Sequence, residues 1–171
     1  MQKTKKRIKR LHSEIALLLR ILDHAYHLKA WHGPNLRGSI RGLSARQAEW
    51  RPDPQRRSIA DIVVHAAYWK YAVRRRLRSD KRGSFVLKGS NWFRLPSPLA
   101  DSEWRMYVTL LEEEHRALRE AIHEFEPERL HHFPAKGKVP YATLIYGVVS
   151  HDLYHTGQIQ LLKRLMLSCP K

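Results

Sequence analysis

Apolar residues recur every three or four positions in four long segments of this chain, a periodicity typical of amphipathic α-helices. The predicted helices run from about Thr4 to Lys29, from Ser58 to the arginines before Gly83, from Asp101 or Ser102 to Pro127, and from Tyr141 to Leu167. We find no convincing strand pattern between them. Because such helices bury their apolar faces only against one another, the periodicity predicts an all-α four-helix bundle.

Two long segments rich in glycine and proline separate the predicted helices. The first covers residues 31–55 and the second covers residues 83–100, and both are long enough for crossover connections. Between them, Ser58 and Asp61 have the Ser-x-x-Asp form of a capping box, which predicts a sharp start for the second helix. The sequence has no internal repeat or low-complexity linker, so we expect residues 1–171 to form a single domain.

The chain is strongly basic, with 32 lysines and arginines against 16 aspartates and glutamates, and its net charge is +16. Such a surface attracts polyanions or acidic small molecules. The cations concentrate in the run Lys3 to Arg10 and in the cluster Arg74 to Arg82, although cations at a helix end also compensate its dipole. One hypothesis is therefore a non-enzymatic protein that binds nucleic acid or another polyanion, although no recognisable nucleic-acid motif accompanies the charge.

The hydropathy of the chain favours a cytoplasmic protein that does not bind membranes. No apolar run approaches the roughly 20 residues that a transmembrane helix needs. The basic N-terminus is not followed by an uninterrupted apolar segment, because Arg20, Asp23 and His24 intrude. A cleavable secretory leader is therefore not expected.

Two histidines, His151 and His155, lie four residues apart in the last predicted helix. That spacing puts both imidazoles on one helical face, where their ring nitrogens can reach the same divalent transition metal. A third histidine, His65, lies in the second predicted helix among apolar and aromatic neighbours. From the residues alone, two interpretations stay open: these histidines are metal ligands, or they are hydrogen-bonded residues of the core.

Two stretches combine these histidines with distinctive neighbours. The first, EWRPDPQRRSIADIVVHAAYWKYAVRRRL (residues 49–77), has a Trp-x-Pro entry, then Ser-Ile at a helix start, then His65. The second, YGVVSHDLYHTGQIQLLKRL (residues 146–165), has the paired histidines followed by Gly-Gln-Ile. Together they resemble the DinB-like, or damage-inducible, four-helix bundle proteins. The resemblance implies an up-down-down-up helix order and a metal site formed by His65, His151 and His155, with nickel or zinc as the ion.

Three neutral imidazoles leave a metal its full charge and an open position for water or substrate. The metal then either makes a nucleophile from water for hydrolysis or holds a deprotonated thiol for attack on an electrophile. The resemblance adds that some DinB-like proteins are transferases or isomerases that use low-molecular-weight thiols. It also adds that such proteins often form dimers through faces of the bundle, so we expect a homodimer here. The leading hypothesis is a metal-dependent transferase or hydrolase with a small, anionic substrate. Whether the protein is an enzyme stays open at this point.

Helical phase suggests which residues support the histidines. Tyr154 and Gln158 lie near the face of the paired histidines, where either can hydrogen-bond a ligand ring or a bound water. Asp61, one turn before His65, has two interpretations. It either accepts a hydrogen bond from that ring or caps the helix, and capping is the favoured one.

The loop AWHGPNLRGSIRG (residues 30–42) mixes aromatic and polar residues, as binding loops often do. Trp31, His32 and Asn35 are its candidates for a lid that shapes the pocket. The alternative is a structural plug, packed through Trp31 and Leu36. The sequence does not decide between the two.

Overall fold

The computed structural model describes residues 2–81, 83, 85–135 and 137–168, with side chains from Ser13 onwards. The described part is helical and contains no β-strand. Its elements are α1 (Gln2–Tyr26), α2 (Leu36–Ser39), α3 (Ala45–Glu49), α4 (Ile59–Leu77), α5 (Asp101–His123), a short 3-10 helix (Pro127–Arg129) and α6 (Tyr141–Ser168). The predicted all-α class is therefore confirmed.

The starts of α4, α5 and α6 lie within one residue of the predicted positions. Two helices end earlier than predicted, α5 at His123 rather than Pro127 and, before it in the chain, α1. Helix α1 ends at Tyr26 rather than Lys29, because the chain already turns between Ala30 and Gly33, which form an isolated antiparallel bridge. Gly33 adopts a φ of +110°, a conformation that favours glycine. The side chains of the basic run Lys3 to Arg10 lie outside the described residues.

The start of α4 follows the predicted capping box. The Ser58 hydroxyl accepts a hydrogen bond from the backbone N–H of Asp61 at 3.2 Å, and the Ser58 N–H donates to Asp61 Oδ2 at 2.8 Å. These two bonds satisfy backbone donors that the first helical turn leaves without partners. The cap thereby sets the residue at which α4 begins, and with it the face on which His65 lies.

Each of the four long helices packs mainly against two of the others. Helix α4 contacts α5 and α6, and α1 contacts the same two helices. The largest fully buried apolar side chains include Leu22, Leu36, Ile59, Leu111, Leu118, Ile122, Ile145 and Ile159. For the site, the important interface is the one between α4 and α6. The up-down-down-up order that the resemblance implies stays a prediction.

Part of the basic cluster at the end of α4 is paired with acidic residues of α5. Arg74 donates to both carboxylate oxygens of Glu114, at 3.0 and 3.3 Å. Arg78 donates to Glu120 at 3.3 Å, while Arg82 lies outside the described residues. These ion pairs connect two packed helices, so they account for some of the charge without a polyanionic partner.

Among the helices that the structure describes, none combines the length and the apolar character needed to cross a membrane.

Candidate metal centre

Three histidine side chains meet at the interface between α4 and α6. His151 Nε2 lies 3.1 Å from His65 Nε2 and 3.0 Å from His155 Nε2. One ring nitrogen from each of the three histidines lies within 4.8 Å of the other two. His65 and His155 are buried, and His151 is half-buried. We refer to His65, His151 and His155 as the histidine triad.

Hydrogen bonds at the outer ring nitrogens orient two of the three imidazoles. His65 Nδ1 lies 2.7 Å from the backbone carbonyl oxygen of Asn91, and His155 Nδ1 lies 2.6 Å from Oε1 of Gln158. Both oxygens are acceptors, so each Nδ1 carries the proton and donates. The Nε2 lone pairs of these two rings therefore face the centre of the triad, as in proteins where a second residue orients a ligating histidine.

Burial keeps the imidazoles of the triad neutral near neutral pH. It lowers the pKa of His155 to about 4, against the opposing effect of the hydrogen bond to Gln158. It also lowers the pKa of His151 to about 3, and charge on the neighbouring His155 and His65 adds to this effect. Burial lowers the pKa of His65 as well. Neutral imidazole is the form that binds metals.

The spacing of the triad fits a transition-metal ion. With Zn–N bonds of 2.0–2.1 Å, ligand nitrogens lie about 3.3–3.4 Å apart at tetrahedral angles and about 2.8–3.0 Å apart at right angles. The two Nε2 distances from His151, 3.0 and 3.1 Å, lie between these values. Inward lone pairs this close repel one another unless a proton or a cation lies between them. The residues present therefore fit a divalent ion that accepts imidazole ligands.

A family model described as the DinB superfamily matches residues 30–159, three quarters of the chain. The chain belongs to the DinB superfamily. The matched segment contains all three histidines of the triad, all of α4 and α6 as far as Ile159. No curated protein and no solved structure matches the chain.

In this DinB-superfamily protein, Gln158 and Tyr154 form a hydrogen-bonded chain beside His155. Gln158 is bonded to His155 through Oε1, and its Nε2 donates to the hydroxyl oxygen of Tyr154 at 3.0 Å. Tyr154 itself is exposed. Both residues that helical phase had singled out thus lie beside His155, Gln158 directly and Tyr154 one bond further out.

Asp61 does not bond to the histidines. Its carboxylate accepts from the Ser58 N–H and from Arg51 Nη1. The acceptor for His65 is instead the carbonyl oxygen of Asn91, on the loop between α4 and α5. Of the two interpretations for Asp61, helix capping is correct and the hydrogen bond to His65 is wrong. The physical reason is that the cap has already engaged the carboxylate at the base of α4.

None of the described contacts of the loop before α2 involves a histidine of the triad. Trp31 is 98% exposed, and the nearest described ring is that of His32, 6.5 Å away. Asn35 caps α2, where its Oδ1 accepts from the Gly38 N–H and its Nδ2 donates to the carbonyl of Leu28. Trp31 therefore does not pack as a plug, whereas the side chain of Leu36 is fully buried in the core. A lid role for this loop stays a prediction.

The aromatic cover of the triad comes from the loop between α4 and α5, which the sequence analysis did not single out. The Trp92 ring stacks on the His65 ring with 3.7 Å between centroids and 5° between planes. The Arg57 guanidinium lies 4.8 Å from the centroid of the Trp92 ring. A tryptophan among the glycines and prolines of residues 83–100 was the available signal, because an aromatic residue in a turn-rich loop needs a packing partner.

A groove of about 230 Å³ runs between α4 and α6 and reaches His151. Its walls are mainly apolar, with Trp69 and Val73 on one side and Val148 on the other. Gly147 lines the groove as well, and a Cβ at this position would meet no atom within 4 Å. The groove therefore offers room for a small apolar group next to the triad.

Loss of the Gln158 side chain should weaken metal binding at the triad. In the variant Gln158→Ala, the Nδ1–H of His155 loses the acceptor that orients its ring, and such losses typically cost about 10–100-fold in metal affinity. The measurement is a competition titration of metal-free protein against a chromophoric chelator. Tyr154→Phe is the matched control, because it removes only the outer hydroxyl and should have a smaller effect. Equal affinities of Gln158→Ala and wild type would contradict the positioning role.

Proposed function

We propose that the histidine triad binds one divalent transition-metal ion, nickel or zinc, and that the protein is a metal-dependent enzyme. The observation that carries the proposal is the convergence of three Nε2 atoms from two helices, with His65 and His155 held by hydrogen bonds at their outer nitrogens. A site built for structure alone normally has four protein ligands. Among the described residues, the triad offers three, which leaves a position for a reactant.

The proposed reaction is transfer of a thiol, or of a group carried by a thiol, with hydrolysis as the alternative. A divalent ion held by neutral imidazoles is a Lewis acid that makes a nucleophile from a thiol or from water at neutral pH. The protein contributes the neutral ligands, the stacked cover of Trp92 and a groove that ends at His151. Membership of the DinB superfamily supports thiol chemistry, since the DinB-like proteins that the sequence resembles include transferases and isomerases that use low-molecular-weight thiols.

The groove supports a substrate or thiol with an apolar body and an anionic end. Trp69, Val73 and Val148 offer apolar walls, and Arg76 lies on the rim of the same groove. At about 230 Å³ the groove is smaller than the pockets of drug-sized ligands. Arg76 makes the rim positive, in keeping with a net charge of +16 for the chain.

The proposal is tested by thiol binding to the cobalt-substituted protein, because cobalt–thiolate bonds give a charge-transfer absorption. Wild type is expected to bind both 2-mercaptoethanol and the bulkier benzyl mercaptan. Gly147→Leu fills the groove and should weaken benzyl mercaptan binding by about tenfold or more, which corresponds to about 1.4 kcal/mol. Binding of 2-mercaptoethanol should not change.

Gly157→Leu is the matched control for this experiment. Gly157 also lies in α6, and a Cβ there meets no atom within 4 Å, but the residue does not line the groove. This variant should bind both thiols as wild type does. Absence of thiolate absorption in cobalt-loaded wild type would reject thiol transfer and leave hydrolysis as the reaction to screen.

The polyanion-binding hypothesis is the second candidate, and the net charge of +16 favours it. The pairing of Arg74 and Arg78 with acidic residues of α5 weakens it, because those cations already have partners. We therefore place it behind the metal-dependent enzyme.

We further propose that residues 1–171 form one domain and that the protein is a homodimer. Tyr146, Tyr154, Leu161 and Leu165 are exposed on α6. Their spacing places them within about 100° of one another around the helix axis at 3.6 residues per turn. An exposed apolar stripe of this kind supports an interface with a second copy of the chain.

A further inference from the structure

A second group of potential metal ligands lies at the interface between α1 and α5. Asp23 and His27 are four residues apart in α1, and His115 lies opposite them in α5. One carboxylate oxygen and two ring nitrogens, one atom from each residue, lie within 4.8 Å of one another. The arrangement repeats that of the histidine triad, in which one helix supplies a pair at i and i+4 and a neighbouring helix supplies the third residue.

His115 is a buried side chain whose polar atoms lack partners. It is 5% exposed, and neither of its ring nitrogens has a hydrogen-bond partner among the described residues. Its ring is fixed by stacking on Tyr26, with 3.6 Å between centroids. Buried polar groups in native proteins almost always have a partner, which is sometimes a bound ion or water absent from the coordinates. His115 therefore points to a ligand at this place.

The protonation state of His115 suits a metal ligand. Burial lowers its pKa to about 2, and the nearby charges of Lys70 and Arg119 act in the same direction. The ring is therefore neutral at physiological pH, and one of its nitrogens always offers a lone pair. The proton of a neutral ring stays on the other nitrogen.

Asp23 is held in place by a bidentate ion pair. Arg119 Nε lies 2.9 Å from Asp23 Oδ1, and Arg119 Nη2 lies 3.1 Å from Oδ2. Each carboxylate oxygen has a second lone pair, so the pair with Arg119 orients the carboxylate without using all of its acceptor capacity. The Arg119 charge also opposes a cation nearby, and we therefore expect weaker binding here than at the triad.

We propose that Asp23, His27 and His115 form a second site for a divalent transition metal, on the interface opposite the histidine triad. Two imidazoles and one carboxylate are a donor set found in zinc and non-haem iron proteins. His27 is exposed and gives the ion access from solvent, while the other two residues are buried. An ion there links α1 to α5. The inference does not depend on the function proposed for the triad.

The test is calorimetric titration of metal-free, untagged protein with zinc alone. Wild type is expected to bind two ions per chain, the second more weakly. His115→Phe keeps a ring that can stack on Tyr26 and removes both nitrogens, so the weaker ion should be lost and the tighter one kept. His32→Phe is the matched control on an exposed histidine and should retain both ions.

Two further variants keep the experiment decisive. His27→Ala changes an exposed residue and should also lose the weaker ion, which covers the case that His115→Phe does not fold. In a His151→Ala/His155→Ala background, one ion should remain and should be lost when His27→Ala is added. If the triad does not bind zinc but the second site does, wild type should bind one ion per chain, and His115→Phe should remove it. A wild-type stoichiometry that neither His115→Phe nor His27→Ala lowers would overturn the second site.

Discussion

Replacing both His151 and His155 with alanine is expected to remove one tightly bound metal ion per chain. The two residues supply two of the three converging Nε2 atoms, and a single imidazole does not retain an ion against solvent. The loss in affinity should exceed the 10–100-fold change that follows removal of a supporting residue such as Gln158. The measurement is metal content by inductively coupled plasma mass spectrometry on protein purified without an affinity tag.

The same variant should lose the stability that the ion confers. An ion present at about 1,000 times its dissociation constant stabilises the folded state by about 4 kcal/mol. For a chain of this size that corresponds to roughly 10 °C in melting temperature. Wild type should therefore melt at lower temperature after treatment with a chelator. The melting temperature of the variant should lack the part of this shift that comes from an ion at the triad.

His123→Ala is the control for this experiment, since His123 is exposed near the end of α5. It should match wild type in metal content and in its response to the chelator. If the double variant keeps the full metal content of wild type, the triad is not the site of the tight ion. The three histidines would then be core residues, and the basic surface would become the leading clue to function.

Replacing Lys70 with methionine is expected to destabilise the protein by about 3–5 kcal/mol, the usual effect of breaking a buried ion pair. Lys70 and Asp152 have side chains that are 0% exposed, and the Lys70 ammonium donates to Asp152 Oδ2. Asp152 Oδ1 has no hydrogen-bond partner among the described residues. Without Lys70, the carboxylate is a buried charge that nothing compensates. The measurement is urea unfolding of the metal-free protein.

The double variant Lys70→Met/Asp152→Leu separates loss of the pair from loss of packing. Burial raises the pKa of Asp152, and the charge of Lys70 opposes that rise, so the two groups depend on each other. Removing both should recover most of the lost stability, because apolar side chains of similar size usually replace a buried ion pair without a net loss. A double variant as unstable as the sum of the two single variants would show that the groups are independent.

The long helices were predictable because their determinants are local. Apolar spacing and the Ser58 capping box act within a few residues, and the structure begins α4, α5 and α6 within one residue of the predicted positions. The end of α1 was less predictable. The turn at Gly33 and the bond from Asn35 to the carbonyl of Leu28 involve residues beyond the helix, which its periodicity does not contain.

The candidate site was predictable in its histidines and not in its surroundings. The pair His151 and His155 follows from helical spacing alone, whereas the place of His65 beside them depended on a family resemblance. Asn91 and Trp92 were missed because they reach His65 from a loop 26 or more positions along the chain. Nothing in the local sequence states which helix such a loop will cover.

The sequence by itself determined the helical class, the helix starts and the single face shared by His151 and His155, since all of these depend on neighbours within about one turn. Only the tertiary structure decided that His65 meets that pair, that Asp61 is used as a cap, and that Lys70 is buried against Asp152. It also decided that His115 of α5 lies beside Asp23 and His27 of α1. Contacts of this kind depend on which helices pack together and in what rotation, and packing is settled by the whole core.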